Sequence, residues 1–149
     1  MSTSNTVTST EPFLTLATAR LMVTKMEEEC NRRNLKMVFA IVDQHGNLKL
    51  YHRMDGSFAV SIKAAQAKAY TAAMAPFNTR VLGEMSAKSA GNPYSHIDGF
   101  LLMGGGVPIF NEAGVHLGGM GVSGSTNEID EEIAIFGVDS VDGISCTRG

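Results

Sequence analysis

Arg53-Met54-Asp55-Gly56 puts a guanidinium two positions from a carboxylate, at the end of a segment that alternates apolar and polar residues. An arginine fork there can hold a substrate carboxylate through two parallel hydrogen bonds, with Asp55 as base or as the group that orients the arginine. The same residues also read as a surface ion pair followed by a turn. Lys68 and Thr71, three apart, share a helix face and could add an ammonium and a hydroxyl to a polar wall beside Arg53. Otherwise Lys68 lays its stem along an alanine face with its head in water. Further on, Gly119-Met120-Gly121-Val122-Ser123-Gly124 spells the GxGxxG pattern of a dinucleotide turn. A Rossmann unit needs another parallel strand with an acidic residue about 20 positions on. Only 25 residues follow Gly124, and most are needed for one helix, so nicotinamide binding fails on space. What is left is the backbone amides of Gly121, Ser123 and Gly124 near a helix N-terminus, suited either to a carboxylate or to tight packing.

The remaining reactive side chains give less. His45, His52, His96 and His116 show no metal-ligand spacing. Ser123 lies in Gly-Val-Ser-Gly, which is not a nucleophile elbow. Cys30 and Cys146 belong to no CxxC pair, which argues against a zinc site or disulfide framework and for a reducing cytosol. Nine methionines read as a soft core. The chain has 149 residues, 44% hydrophobic and 18% charged, as a single globular domain requires. A net charge of −3 offers no footprint for nucleic acid. No apolar run approaches the ~20 residues of a membrane span. Residues 1–12 lack the features of a secretory signal and read as a flexible polar tail.

The elements that must position these groups follow from periodicity. Leu16, Ala19, Val23, Met26 and Cys30 form one face of a helix from about Leu14 to Asn34, with Thr15 as N-cap. Met37 to Val42 reads as a strand buried on both faces, and the turn from Asp43 to Asn47 leads into its hairpin partner. An alanine-rich helix from about Phe58 to Ala75 stops at Pro76, and Asn78 or Thr79 caps a shorter one. Ten of the sixteen glycines fall between Gly91 and Gly124, marking short strands and tight turns. The strands there are Phe100–Met103, Val107–Phe110 and Val115–Val122. Ser125 and Glu128 form a capping box for a last helix whose buried stripe is Ile129, Ile133 and Phe136. The order αββααβββα, with short turns between strands, predicts an α+β fold around a five-stranded, mainly antiparallel sheet.

Together these motifs resemble the GlcG/HbpS family, the haem-binding-protein-like domain also found as the C-terminal part of PduO-type corrinoid adenosyltransferases. The likeness rests on Ala40 to Leu48 with Arg53 to Gly56, Lys68 to Ala72, Gly105 to Ile109, and Gly118 to Gly124 with Asp130-Glu131. It spans about residues 14 to 138 and implies a profilin- or PAS-like α-β-α sandwich, a domain over 13–139 with a C-terminal tail over 140–149, and homo-oligomers. It also implies a pocket near the Arg53–Gly56 and Lys68–Thr71 segments.

Three functions are carried forward. The first is binding of haem or a related tetrapyrrole, with His52 or His96 as the metal ligand. Met54, Thr79, Gly121, Ser123, Gly124 and Glu128 make up the candidate ligand-binding set. The second is a cofactor-independent isomerase, hydratase or lyase acting on a small organic acid. There Arg53 clamps the carboxylate, Asp55 is the base, and Lys68 with Thr71 polarises the reacting oxygen. The third is a non-catalytic accessory protein. All three are soluble and cytoplasmic, with a small-molecule ligand and no nucleic-acid or membrane partner.

Overall fold

A computed structural model describes residues 7–148; residues 1–6 of the expected N-terminal tail, and Gly149, lie outside the described residues. Thr15 accepts a hydrogen bond from the Thr18 amide and caps α1 (Leu16–Arg32), whose stripe of Ala19, Met22, Val23, Met26 and Cys30 is buried. β1 (Val38–Asp43) is buried on both faces, as its unbroken apolar run demands. Phe39 and Ile41 join the larger core with α1 and α4, whereas Val38, Ala40 and Val42 pack with the alanines of α2. β1 forms a hairpin with β2 (Leu48–Arg53). α2 (Val60–Met74) and α3 (Thr79–Lys88) follow, then a 3₁₀ turn over Pro93–His96. β3 (Gly106–Asn111), β4 (His116–Ser123), α4 (Asn127–Asp139) and β5 (Ile144–Ser145) complete the chain. The sheet order is β2-β1-β4-β3-β5 and every pair is antiparallel.

The α+β, five-stranded antiparallel architecture stands as the pattern predicts, but the fifth strand is a different segment. Phe100–Met103 pairs with no strand, because buried hydroxyls hold its backbone: Leu101 N–H donates to Thr71 Oγ1, and Thr79 Oγ1 donates to the Met103 carbonyl. Its place is taken by Ile144–Ser145 at the edge of β3. Within the expected 140–149 tail, Ile144–Ser145 thus pairs with the sheet. There Cys146 N–H donates to Asp139 and the Arg148 guanidinium lies over the Phe110 ring.

The cap of α4 also differs. Thr126, not Ser125, accepts from the Ile129 amide, while Ser125 N–H donates to the buried Asp130 carboxylate. Ser125 and Glu128 therefore do not form the reciprocal box, because Asp130 claims the Ser125 amide. Phe136 is not on the buried side either; it borders an outer groove between α1 and α4 with Glu29 and Arg33.

The helix-rich and glycine-rich halves of the sequence meet at one contact. A methyl group built at Gly121 would lie 2.0 Å from the Ala65 carbonyl oxygen, and one at Gly119 would lie 2.2 Å from that of Ala69. The α2 backbone thus rests on the β4 backbone, an approach only glycine permits. Gly121→Ala is expected to lower stability by about 3 kcal/mol or more in urea unfolding, the upper range of overpacking. Gly91→Ala meets nothing within 4 Å and is expected to lose only the ~1–2 kcal/mol of a left-handed backbone.

Candidate functional site

Lys68 leaves the middle of α2 and is 1% exposed, a position an ammonium tolerates only with full partnership. Its Nζ donates to the Val122 carbonyl and to Asp130 Oδ2, both at 3.0 Å. Asp130, 2% exposed, uses its other oxygen for the Ser125 amide at 2.9 Å. Because α2 and α4 pack on opposite faces of the sheet, this pair ties the two outer layers together. The passage is at Gly105, where a methyl group would lie 2.9 Å from Lys68 Nζ and 3.0 Å from Asp130 Cβ.

Above the pair opens a cleft of about 610 Å³ between the N-terminal ends of α2 and α4 and the segment that carries Leu101 and Met103. Ser61 and Ser123 lie in it with their hydroxyls 3.2 Å apart. Phe58, Val60 and Met103 also line it and are 70%, 77% and 45% exposed. The cleft therefore joins an exposed apolar rim to a polar base.

Of the residues singled out from the sequence, Lys68, Ser123 and Gly124 line this cleft. Arg53 and Asp55 do not; both are exposed, on the strand end and turn that precede Phe58. Arg53, Asp55 and Lys68 therefore do not share the cleft as the proton-transfer reading requires. Met54 is buried in the core on the α1 side. Thr71 and Thr79 are fully buried, and their hydroxyls hold the 101–106 segment: Thr71 Oγ1 also donates to the Ala67 carbonyl, and Thr79 Oγ1 accepts from Gly106 N–H. Gly121 lies beneath α2, where its role is close packing. Glu128 borders a neighbouring cleft on the far side of Leu101–Gly104.

The histidines are engaged elsewhere. His52 Nε2 is 2.9 Å from Glu27 Oε2, with its ring stacked on Phe39. His96 Nε2 donates to the Gly91 carbonyl and His116 Nε2 to that of Ala72. Neither His52 nor His96 lines the cleft. Among the described residues no group of three or more His, Cys, Asp and Glu could hold a metal ion. Burial pushes the Cys30 thiol up to about 11 and the Cys146 thiol up to about 12, so neither is a ready nucleophile.

Met103, Phe58 and Ser61 are site residues that sequence reasoning passed over, and Asp130 entered it only within the family motif and not as a site residue. Asp130 carried a signal: Ile133, Ala134, Gly137 and Val138, at offsets of three, four, seven and eight, are the other buried positions of α4. Glu128, Asp130, Glu131 and Glu132 all read as dipole-compensating, and only that periodicity separates Asp130 from the rest.

Comparison with known proteins places this geometry in context. Residues 14–139 match the family described as "Haem degrading protein HbpS-like". A 15.0 kDa protein from the dhaT-dhaS intergenic region of Citrobacter freundii is 33% identical over 129 residues, 85% of this chain and 90% of that protein. A double mutant of HbpS from Streptomyces reticuli superposes with a TM-score of 0.82 at 26% identity, covering 95% of both chains. The PduOC:heme complex superposes with a TM-score of 0.81 at 26% identity, covering 89% of this chain and 97% of that one.

Two tests follow from the site. Lys68→Met and Asp130→Leu should each cost about 3–5 kcal/mol in urea unfolding, because each strands a buried charge, while the double variant should recover most of that loss. His116 has its pKa lowered, chiefly by burial. The fold thus prefers the neutral ring, and stability present above the ordinary value near 6.5 is lost as pH falls through the lower folded value. Unfolding measured between pH 7.5 and about 5 should show a smaller acid loss in His116→Gln than in the parent.

Proposed function

The chain belongs to the HbpS-like family, and from that premise we propose that it binds haem or a closely related tetrapyrrole in the cleft between the N-terminal ends of α2 and α4. The observation that carries this reading is the pairing of an exposed apolar rim, Phe58, Val60 and Met103, with a hydroxyl- and amide-bearing base. A tetrapyrrole has a flat apolar body and acidic side chains, so it needs both kinds of surface in one place. The volume of about 610 Å³ lies within the ~300–1,000 Å³ of small-molecule sites. The N-terminal end of α4 at Thr126 and Asn127, together with Ser61 and Ser123, suits carboxylates at the base. Haem iron takes an axial His, Cys, Met or Tyr, and among the residues lining the cleft Met103 is the single side chain of those types. The residues therefore fit the group, with Met103 in the ligand role first considered for His52 and His96. The PduOC:heme complex adds support from a similar fold.

The proposal includes assembly into homo-oligomers, for which the exposed Phe58 and Val60 supply apolar surface, and residence in the cytoplasm, where two free buried thiols stay reduced. Among the described residues no helix is long and apolar enough to cross a membrane.

Haemin titrated into the purified chain should give a Soret band that saturates at one haem per chain. Met103→Leu should alter that spectrum and weaken binding about tenfold, while His96→Ala leaves both unchanged. A featureless titration that does not saturate, or a Met103→Leu protein identical to the parent, would overturn the corresponding part of the reading.

A further inference from the structure

We propose a second binding site, for small organic ammonium ions, in a separate cleft of about 470 Å³ bounded by α2, the β1–β2 hairpin and the Asp98-Gly99 turn. Its apolar floor comes from an irregularity in the sheet. The register shifts between Ile41 and Val42, so that Leu48 is paired with Val42 and lines the cleft beside it. Ala67 continues this floor on the helix.

One wall is Tyr70, and its ring is held in place before any ligand arrives. Gly46 and Gly99, both at φ +83°, approach its two edges: a methyl group built at either would lie 2.9 Å from Cε1 or 3.2 Å from Cε2. Phe100 backs the same ring in an edge-on contact at 6.1 Å between centroids. A ring fixed in this way loses little freedom when it takes up a ligand.

Among the described residues that line the cleft, Asp98 is the one charged group. The Asp98 carboxylate and the Tyr70 hydroxyl have no hydrogen-bond partner among the described residues. Gln66 donates one amide N–H to the Ile62 carbonyl, and its Oε1 can accept. No lysine or arginine lines the cleft. Nearby, His45 is bonded to Glu11, and Asp43 Oδ1 is taken by the His45 and Asn47 amides. An anion finds no counter-charge here, and an uncharged apolar molecule leaves the carboxylate unused. A cation with a compact apolar shell satisfies carboxylate, aromatic ring and floor together, the combination by which aromatic sites hold quaternary ammonium groups. This site does not depend on the haem reading.

The test is an NMR titration with choline chloride, following the Gly46 and Gly99 amides. Its control is the neutral analogue in which a tert-butyl group replaces trimethylammonium. Choline should give saturable shifts at these amides, with the neutral analogue at least about tenfold weaker. Asp98→Asn, an exposed change that leaves the packing intact, should weaken choline binding about fivefold or more, and added salt should weaken it in the parent. Tyr70→Leu should abolish the shifts. Equal binding of the two molecules, or choline shifts that are absent, fail to saturate or are unchanged in Asp98→Asn, would overturn the proposal.

Discussion

The backbone-on-backbone contact between α2 and β4 is the constraint on which the rest of this structure depends. Gly119 and Gly121 leave no strand side chain at the closest approach of helix and strand, and Ala65 and Ala69 keep the facing surface of the helix shallow. That closeness sets the height of α2 above the sheet. At this height a lysine stem can pass the sheet at Gly105 and reach a carboxylate on the opposite layer. A larger residue in β4 would raise the helix and take the ammonium out of reach. The glycine-rich pattern that resembles a nucleotide turn is thus explained by packing: Gly119 and Gly121 lie against a helix, and Gly124 lies against the Lys36–Met37 backbone.

Both clefts along α2 follow from this arrangement. At its N-terminal end, the buried ion pair fixes the base of the larger cleft, while the turn after β2 leaves Phe58 and Val60 in solvent. Further along the helix, Tyr70 projects beside the hairpin, where the bulge in β1–β2 turns Leu48 toward it. The wall carrying Leu101 and Met103 owes its shape to Thr71 and Thr79, whose hydroxyls stand in for a strand ladder. Their burial therefore shapes the cleft indirectly: they hold the segment that lines it.

Local signals in the chain were enough to read the main elements. The cap at Thr15, the two-faced apolar run of β1 and the Pro76 stop depend on a few neighbouring residues each, and each appears where periodicity puts it. What could not be read was anything settled by partners distant in sequence. Phe100–Met103 has strand composition, yet two threonines 30 and 24 positions away claim its backbone. Ile144–Ser145 is too short to announce itself, and becomes a strand because β3 offers a free edge. At the candidate site, Lys68 and Ser123 were visible by type, whereas Asp130 was hidden among three other acidic residues and Met103 among eight other methionines. Arg53 and Asp55 drew attention through chemistry at short range, but the chain turns them outward.

The Lys68–Asp130 pair also has a meaning for how this protein can change over generations. Loss of either charge strands the other in an apolar interior, and a side chain at position 105 would displace both. A single substitution at any of the three is therefore disfavoured while the other two are retained, whereas a coordinated exchange of the two charges for matched apolar residues leaves nothing stranded. Lys68 and Asp130 stand 62 positions apart with Gly105 between them, yet under mutation the three act as one locus.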